Sequence, residues 1–339
     1  MDNETTEDAR TTEDYAVNSV FRPFDNNVEC ICLDGPISSR LFPVVNAEEM
    51  QYLDLCRQIL DKGFIEEGRN GYTKSVFGHM MRFNLTNNTI PILTTKKTAW
   101  KTCLKELMWF IRGQTNNKIL KEQGVHIWDA NGSREFLDSR GLTNYEVDEL
   151  GPIYGAQWRS FNAEICETGE KFDTPSSYKG VDQLQQIIDA LKDPKQRTSR
   201  RLIMTAWNPC QLDNMALPPC HILCQFNVHD GNKLSCSMYQ RSCDMFLGVP
   251  FNIASYSFLT HLLAHHCGLE AYEFVYFMGN CHIYDAHMEA VQQQLNRTPY
   301  KFPTVQITSR HDNINDYQVE EFNVKDYVSH DTIRAPLIA

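Results

Sequence analysis

Long apolar runs are missing from this chain. No stretch reaches the ~18 consecutive apolar residues of a membrane-spanning helix. The most apolar segment, Met245 to Leu269, is broken by Asn252, Ser255, Ser257, Thr260 and three histidines, so no membrane partner is expected. The opening Met1-Asp2-Asn3-Glu4 has neither a basic region nor an apolar core, and a secretory leader is not expected. No C-x-x-C occurs among the twelve cysteines. Scattered thiols in a long chain without a leader read as reduced, which makes the expected location cytoplasmic. Positive charge is also scarce. Lys and Arg number 32 against 43 Asp and Glu, for a net charge of −11. That balance argues against general nucleic-acid binding, so any phosphate must be held by a local arginine cluster. Finally, His261 and His265 share one helical face beside His266, but the glutamate of H-E-x-x-H is absent. They read as core or interface histidines, and no metal is expected.

The chain is 42% hydrophobic over 339 residues, enough for a full core. Residues 1–48 form an acidic extension that reads as disordered, with partial docking open around Pro23, Pro36 and Pro43. Residues 49–339 read as one domain. Tyr52, Leu53, Cys56, Ile59, Leu60 and Phe64 recur at helical spacing from Ala47 onward. Further helices are expected over Thr98–Arg112, Val181–Leu191 and Ser255–Cys267, the last ended by Gly268. Strands are expected at Arg201–Trp207 and on both sides of Asp230-Gly231-Asn232, where Ile222, Cys224, Phe226 and Val228 face Leu234, Cys236 and Met238. Helices and strands without strict alternation give an α+β fold.

Chemistry concentrates near that hairpin. In Leu217-Pro218-Pro219-Cys220-His221 two prolines fix the backbone before a cysteine that opens a strand. A buried cysteine beside a turn is the plainer reading. A two-residue turn would put Cys220 opposite Arg241, and a three-residue turn opposite Ser242. Either returns Gln240-Arg241-Ser242-Cys243-Asp244 beside the thiol, and an arginine there lowers its pKa. Arg200 and Arg201 suit bidentate phosphate binding, or form a solvated basic loop. Glu106 has Cys103, Trp109 and Phe110 as helical neighbours. Desolvation there would raise its pKa toward the range useful for proton transfer; a surface pair with Lys105 or Lys101 is the alternative.

Several long segments in order make the chain resemble the thymidylate synthase family from about Tyr52 to Ala339. They include Phe77-Gly78-His79, Leu93-Thr94-Thr95-Lys96-Lys97 and Ile127-Trp128-Asp129-Ala130-Asn131-Gly132-Ser133. Leu150-Gly151-Pro152-Ile153-Tyr154-Gly155, the Cys220 segment, Tyr239–Asp244, Leu247–Tyr256 and His282-Ile283-Tyr284 follow. The Asp129–Ser133 version resembles the eukaryotic or eukaryotic-virus branch, which would put the protein in the cytoplasm, a host's if viral, with the nucleus also open.

The resemblance implies a large mixed sheet covered by helices, with one sheet face forming a homodimer interface. It implies methylation of dUMP to dTMP, with 5,10-methylenetetrahydrofolate giving carbon and hydride. Cys220 would add to uracil C6, with Glu106, Tyr154, Arg241 and Asp244 as its catalytic companions. Arg69, Arg241 and Ser242 would hold the phosphate, joined by Arg200 and Arg201 serving the other subunit. Asn252 would read the uracil edge. His221, Gln240, Cys243, Asp244, His282, Ile283 and Tyr284 complete the dUMP set. Folate would meet Lys96, Ile127, Trp128, Asn131, Asp244, Leu247, Gly248, Phe251, Ile338 and Ala339. Three features depart from the family pattern: a shorter loop after Arg69, Asn280 in place of aspartate, and a longer turn at Asp230. The rival within the superfamily is a pyrimidine nucleotide hydroxymethylase.

Overall fold

The computed structural model describes residues 46–68, 71–163 and 180–338. The expectation for residues 1–48 falls almost wholly outside them, as do Arg69 and Ala339. The described residues belong to one compact unit, Val44–Ala339.

Eight helices and eight strands are described. The helices are α1 (Ala47–Lys62), α2 (Trp100–Ile111), α3 (Lys118–Glu122), α4 (Arg134–Ser139), α5 (Tyr154–Ser160), α6 (Gln183–Lys192), α7 (Gly248–Cys267) and α8 (Met288–Leu295). The strands are β1 (Phe64–Gly68), β2 (Gly71–Asn84), β3 (Ile203–Thr205), β4 (His221–His229), β5 (Lys233–Asp244), β6 (Glu270–Tyr284), β7 (Thr304–Ile307) and β8 (Phe322–Lys325). Six strands form a mixed sheet in the order β1-β2-β6-β5-β4-β3, and β7 pairs with β8 apart from it. Among the described strands only β5 and β6 run parallel. A parallel pair needs a crossover, and α7 supplies it.

α7 begins at Gly248, seven residues before the expected Ser255. Pro250 falls in its first turn, where a missing N–H removes no helical bond. Gly268 ends it as expected, with a left-handed φ of 70°. The helix is buried on nearly every side, which hides the amphipathic signal at its start. The strand expected over Arg201–Trp207 shrinks to Ile203–Thr205.

The hairpin settles the register left open by the sequence. His229 pairs with Lys233, so the turn holds three residues, Asp230, Gly231 and Asn232. A bulge between His221 and Leu223 then shifts the pairing, and His221 faces Gln240. Cys220 therefore lies opposite Arg241, whose N–H donates to the Cys220 carbonyl at 2.8 Å.

Candidate active site

The nucleophile candidate is held on three sides. The Cys220 N–H donates to Tyr154 Oη at 2.8 Å. Its carbonyl takes the Arg241 N–H. The diproline contributes two carbonyls: Arg241 Nε donates to Pro219 O at 2.8 Å and Nη2 to Pro218 O at 2.9 Å. The guanidinium also faces the Trp207 ring, 5.6 Å from its centroid. The same prolines that fix the chain before Cys220 thus latch the positive charge beside it.

That charge does not win in the single chain. Burial pushes the Cys220 thiol up, while Arg241 and the Tyr154 hydroxyl pull less strongly the other way. Arg241 lowers the thiol pKa as expected, but desolvation outweighs it. His221 cannot make up the difference. Burial drives its ring down to about 3, leaving it neutral, and its Nδ1 shares a 2.8 Å hydrogen bond with Tyr256 Oη.

Tyr154 opens α5 and is buried. Its ring stacks on His221 at 4.2 Å and meets Trp128 edge-on at 6.0 Å. Trp128 Nε1 in turn donates to Glu106 Oε1 at 2.7 Å. Burial raises Glu106 to about 7, against the pull of the Trp128 bond. The expected desolvated carboxyl is present, and the surface pair with lysine is not among the described ion pairs. A carboxyl poised near neutrality can both give and take a proton.

Asn252 is oriented by a chain of hydrogen bonds. Tyr276 Oη donates to Gln240 Oε1 at 2.6 Å. Gln240 Nε2 donates to the Ser242 carbonyl at 2.9 Å and to Asn252 Oδ1 at 3.1 Å. Because the Ser242 carbonyl can only accept, the Gln240 amide cannot be reversed without losing that bond. Asn252 therefore turns its oxygen to Gln240. Its amide nitrogen remains to donate to a ligand, and one oxygen lone pair remains to accept.

Side-by-side pairing of β5 and β6 puts Ser242 next to Asn280, Cys243 next to Cys281, and Asp244 next to His282. Ser242, Asn280, His282 and Tyr284 line a cleft of about 690 Å³ with Thr73, Gly71 and the acidic pair Glu66 and Glu67. Asn280, the departure noted above, keeps its oxygen 3.0 Å from His282 Nδ1. The histidine keeps a polar partner, without the charge an aspartate would bring. Cys243 and Ile283 are buried and are not among the residues that line this cleft.

The Leu93–Lys97 segment is pinned by one carboxylate. Glu49 Oε1 accepts from Thr95 N at 2.8 Å and Oγ1 at 2.7 Å, while Oε2 accepts from Thr94 Oγ1 at 2.6 Å. This turns Lys96 inward. Its ammonium donates to the Phe246 carbonyl and sits 3.5 Å from the Phe246 ring centroid. Burial lowers it to about 8, with Asp244 opposing. The ammonium is thus buried rather than held out toward solvent. Asp244 Oδ1 accepts from Phe246 N at 3.0 Å. Burial acts to raise Asp244, yet His287 and His282 hold it below the usual carboxylate range. Leu247, Gly248 and Phe251 follow Asp244 at the start of α7, all partly exposed, as are Ile127 and Ile338; Asn131 is buried.

Arg200 and Arg201 are not brought to this cluster. Leu202 O accepts from Phe226 N, six residues along β4 from Cys220, on the order of 20 Å by strand rise. Both arginines are exposed. His261 Nε2 and His265 Nε2 each contact a backbone carbonyl, of Thr89 and Ser309. Among the described residues, no group of three or more potential ligands is placed to hold a metal. Sequence reasoning missed Trp207, Tyr276 and His287. Tyr276 lies in a strand region without clean alternation, and nothing in the pattern marks the other two.

Comparison with known proteins gives the family. A family model described as thymidylate synthase matches residues 50–339. The bifunctional dihydrofolate reductase-thymidylate synthase of Plasmodium berghei (strain Anka) is 52% identical over 296 residues, covering 87% of this chain and 49% of its own length. The probable thymidylate synthase of Schizosaccharomyces pombe is 53% identical over 296 residues, covering 83% and 46%. The bifunctional protein of Leishmania major is 48% identical over 291 residues, covering 85% and 55%. The chain spans about half the length of the curated relatives it matches.

Proposed function

The chain belongs to the thymidylate synthase family, and from that premise we propose that it methylates dUMP to dTMP, with 5,10-methylenetetrahydrofolate as co-substrate and dihydrofolate as by-product. The observation that carries this reading is Cys220 at the mouth of β4, framed by Arg241 and the Tyr154 hydroxyl. The co-substrate supplies the one-carbon unit and the hydride. The protein's residues do the rest. The Cys220 thiolate adds to uracil C6, which makes C5 nucleophilic. Asn252 offers an N–H to uracil O4 and an oxygen lone pair to N3–H, the polarity that cytosine reverses. Glu106 exchanges protons with O4 through ordered water, and Tyr154 helps a water remove the C5 proton. Asp244 takes the pterin N–H groups. Trp128, Leu247 and Phe251 wall the folate, and residues from Ala335 onward exclude water.

The raised Cys220 pKa gives the dimer a chemical role. Arg200 and Arg201 lie too far along β4 to serve their own Cys220. In a homodimer packed through the exposed sheet face they would reach the partner's phosphate and supply cationic charge that one chain lacks. A spectrophotometric assay with dUMP and methylenetetrahydrofolate tests the reading. Wild type should form dTMP and dihydrofolate, and Cys220→Ser should lose at least ~10³-fold in kcat. Undiminished activity in Cys220→Ser would overturn the mechanism. Hydroxymethyl-dUMP as main product, without dihydrofolate, would favour the hydroxymethylase instead.

A further inference from the structure

His287 is fully buried, just past the dUMP cleft, in a 3-10 turn between β6 and α8. Its ring lies between two groups that serve different purposes. On one side Nε2 is 2.8 Å from the Pro336 carbonyl. A carbonyl only accepts, so Nε2 carries the proton. On the other side Nδ1 faces Asp244 Oδ1 at 3.7 Å. Nδ1 is buried and has no hydrogen-bond partner, an arrangement that carries a desolvation penalty unless a small movement closes the gap. Phe246 and Tyr284 pack on the ring at 5.4 and 5.5 Å. Phe246 in turn receives Lys96 on its face and on its carbonyl.

A buried structural histidine would need one good partner. This one has its second nitrogen aimed at the carboxylate assigned to the pterin, while the first holds the segment assigned to closure. Burial acts to lower the ring's pKa, but the Asp244 carboxylate and the Pro336 carbonyl outweigh it and leave the ring above its ordinary value. The protonated ring has an N–H for each side; the neutral ring has only one.

We propose that His287 is a positioning residue that couples the seat of the C-terminal segment to the orientation of Asp244, so that folate binding and closure reinforce one another. This inference rests on the folate reading above. Closing of the Asp244 contact by the folate would strengthen the hold on Pro336, and the reverse follows by linkage. Asparagine can place an amide near the Nδ1 position but is too short to reach Pro336. His287→Asn is therefore expected to weaken dihydrofolate binding about 10-fold, measured calorimetrically with dUMP saturating. Affinity for dUMP alone should stay within about 2-fold of wild type. In a chain truncated after Ala335 the same substitution should weaken dihydrofolate less than about 2-fold further, because the coupled element is already gone. An equal loss in both backgrounds, or no loss in the full chain, overturns the coupling. A second measurement needs neither a substitution nor a ligand. Truncation after Ala335 must lower the His287 pKa, read from its ring proton by NMR, and an unchanged pKa overturns the proposal. Failure of wild type to bind dUMP or folate would instead sink the functional reading, and the NMR result would still judge the coupling.

Discussion

Two neighbouring rows of the six-stranded sheet are one residue apart and face opposite environments. Met81, Tyr276, Met238, Cys224 and Met204 align from β2 to β3, and none is more than 1% exposed. One residue over, Met80, Phe277, Tyr239, Leu223 and Thr205 align the same way. There Met80 is 45% exposed, Phe277 43% and Leu223 36%. Side chains alternate across a strand, so the first row faces the α7 side and, among the described residues, the second is left largely uncovered. Antiparallel sheets usually turn polar residues toward water. This outer face instead keeps Met, Phe and Leu, with Phe77 and Ile203 also exposed on the sheet. An apolar face of this kind is a binding surface. The difference between the rows is the strongest physical support for the proposed homodimer.

The largest effect should come from spoiling the outer row. Phe277→Glu puts a charge within it. Sedimentation should find a monomer whose circular dichroism matches wild type. Affinity for dUMP should fall about 100-fold or more, because two arginine–phosphate contacts of the partner subunit are lost at once. A dimeric Phe277→Glu with undiminished affinity would break the link between this face and the site. The inner row should respond in stability instead. Met238→Ala opens a cavity and should cost about 2–5 kcal/mol in denaturant unfolding. In the monomeric Phe277→Glu background, the outer-row change Leu223→Ala should cost less than about 1 kcal/mol. Equal costs would erase the distinction between the rows.

The sequence was most informative where local rules decide. Gly268 marked the end of α7 because a left-handed cap favours glycine, and the company of Glu106 foretold its raised pKa. The hairpin arithmetic offered two partners for Cys220 and could not choose, because the choice rests on a bulge at residue 222 that has no sequence signature. β1, β2 and β6 carry apolar residues on both faces, so the alternation that reveals a half-buried strand is blurred. The net effect on the Cys220 thiol was not legible for a related reason. A neighbouring arginine is visible in a sequence, but the depth of a pocket is not. His287 escaped notice because its importance lies in two contacts, one 43 residues and one 49 residues away in sequence.

A smaller stability effect than that of Met238→Ala is expected from Glu106, the acidic residue of helix α2. Its ordinary pKa of 4.5 rises to about 7 in the folded protein. Between those values the unfolded chain has released the proton and the folded chain still holds it. Stability is therefore greatest below about pH 4.5 as far as this group is concerned, and falls as pH rises to about 7. Allowing for its partial solvent exposure, the loss should be about 1–2 kcal/mol. Glu106→Gln keeps the shape and an acceptor for Trp128 but cannot ionise. Its melting temperature should vary less than that of wild type between pH 5 and pH 7.5, by a difference of a few degrees. It should also lose most activity, because an amide cannot relay a proton at uracil O4. Parallel melting curves for the two proteins across that window would show that Glu106 is ionised throughout, which would remove the physical basis for its role in proton transfer.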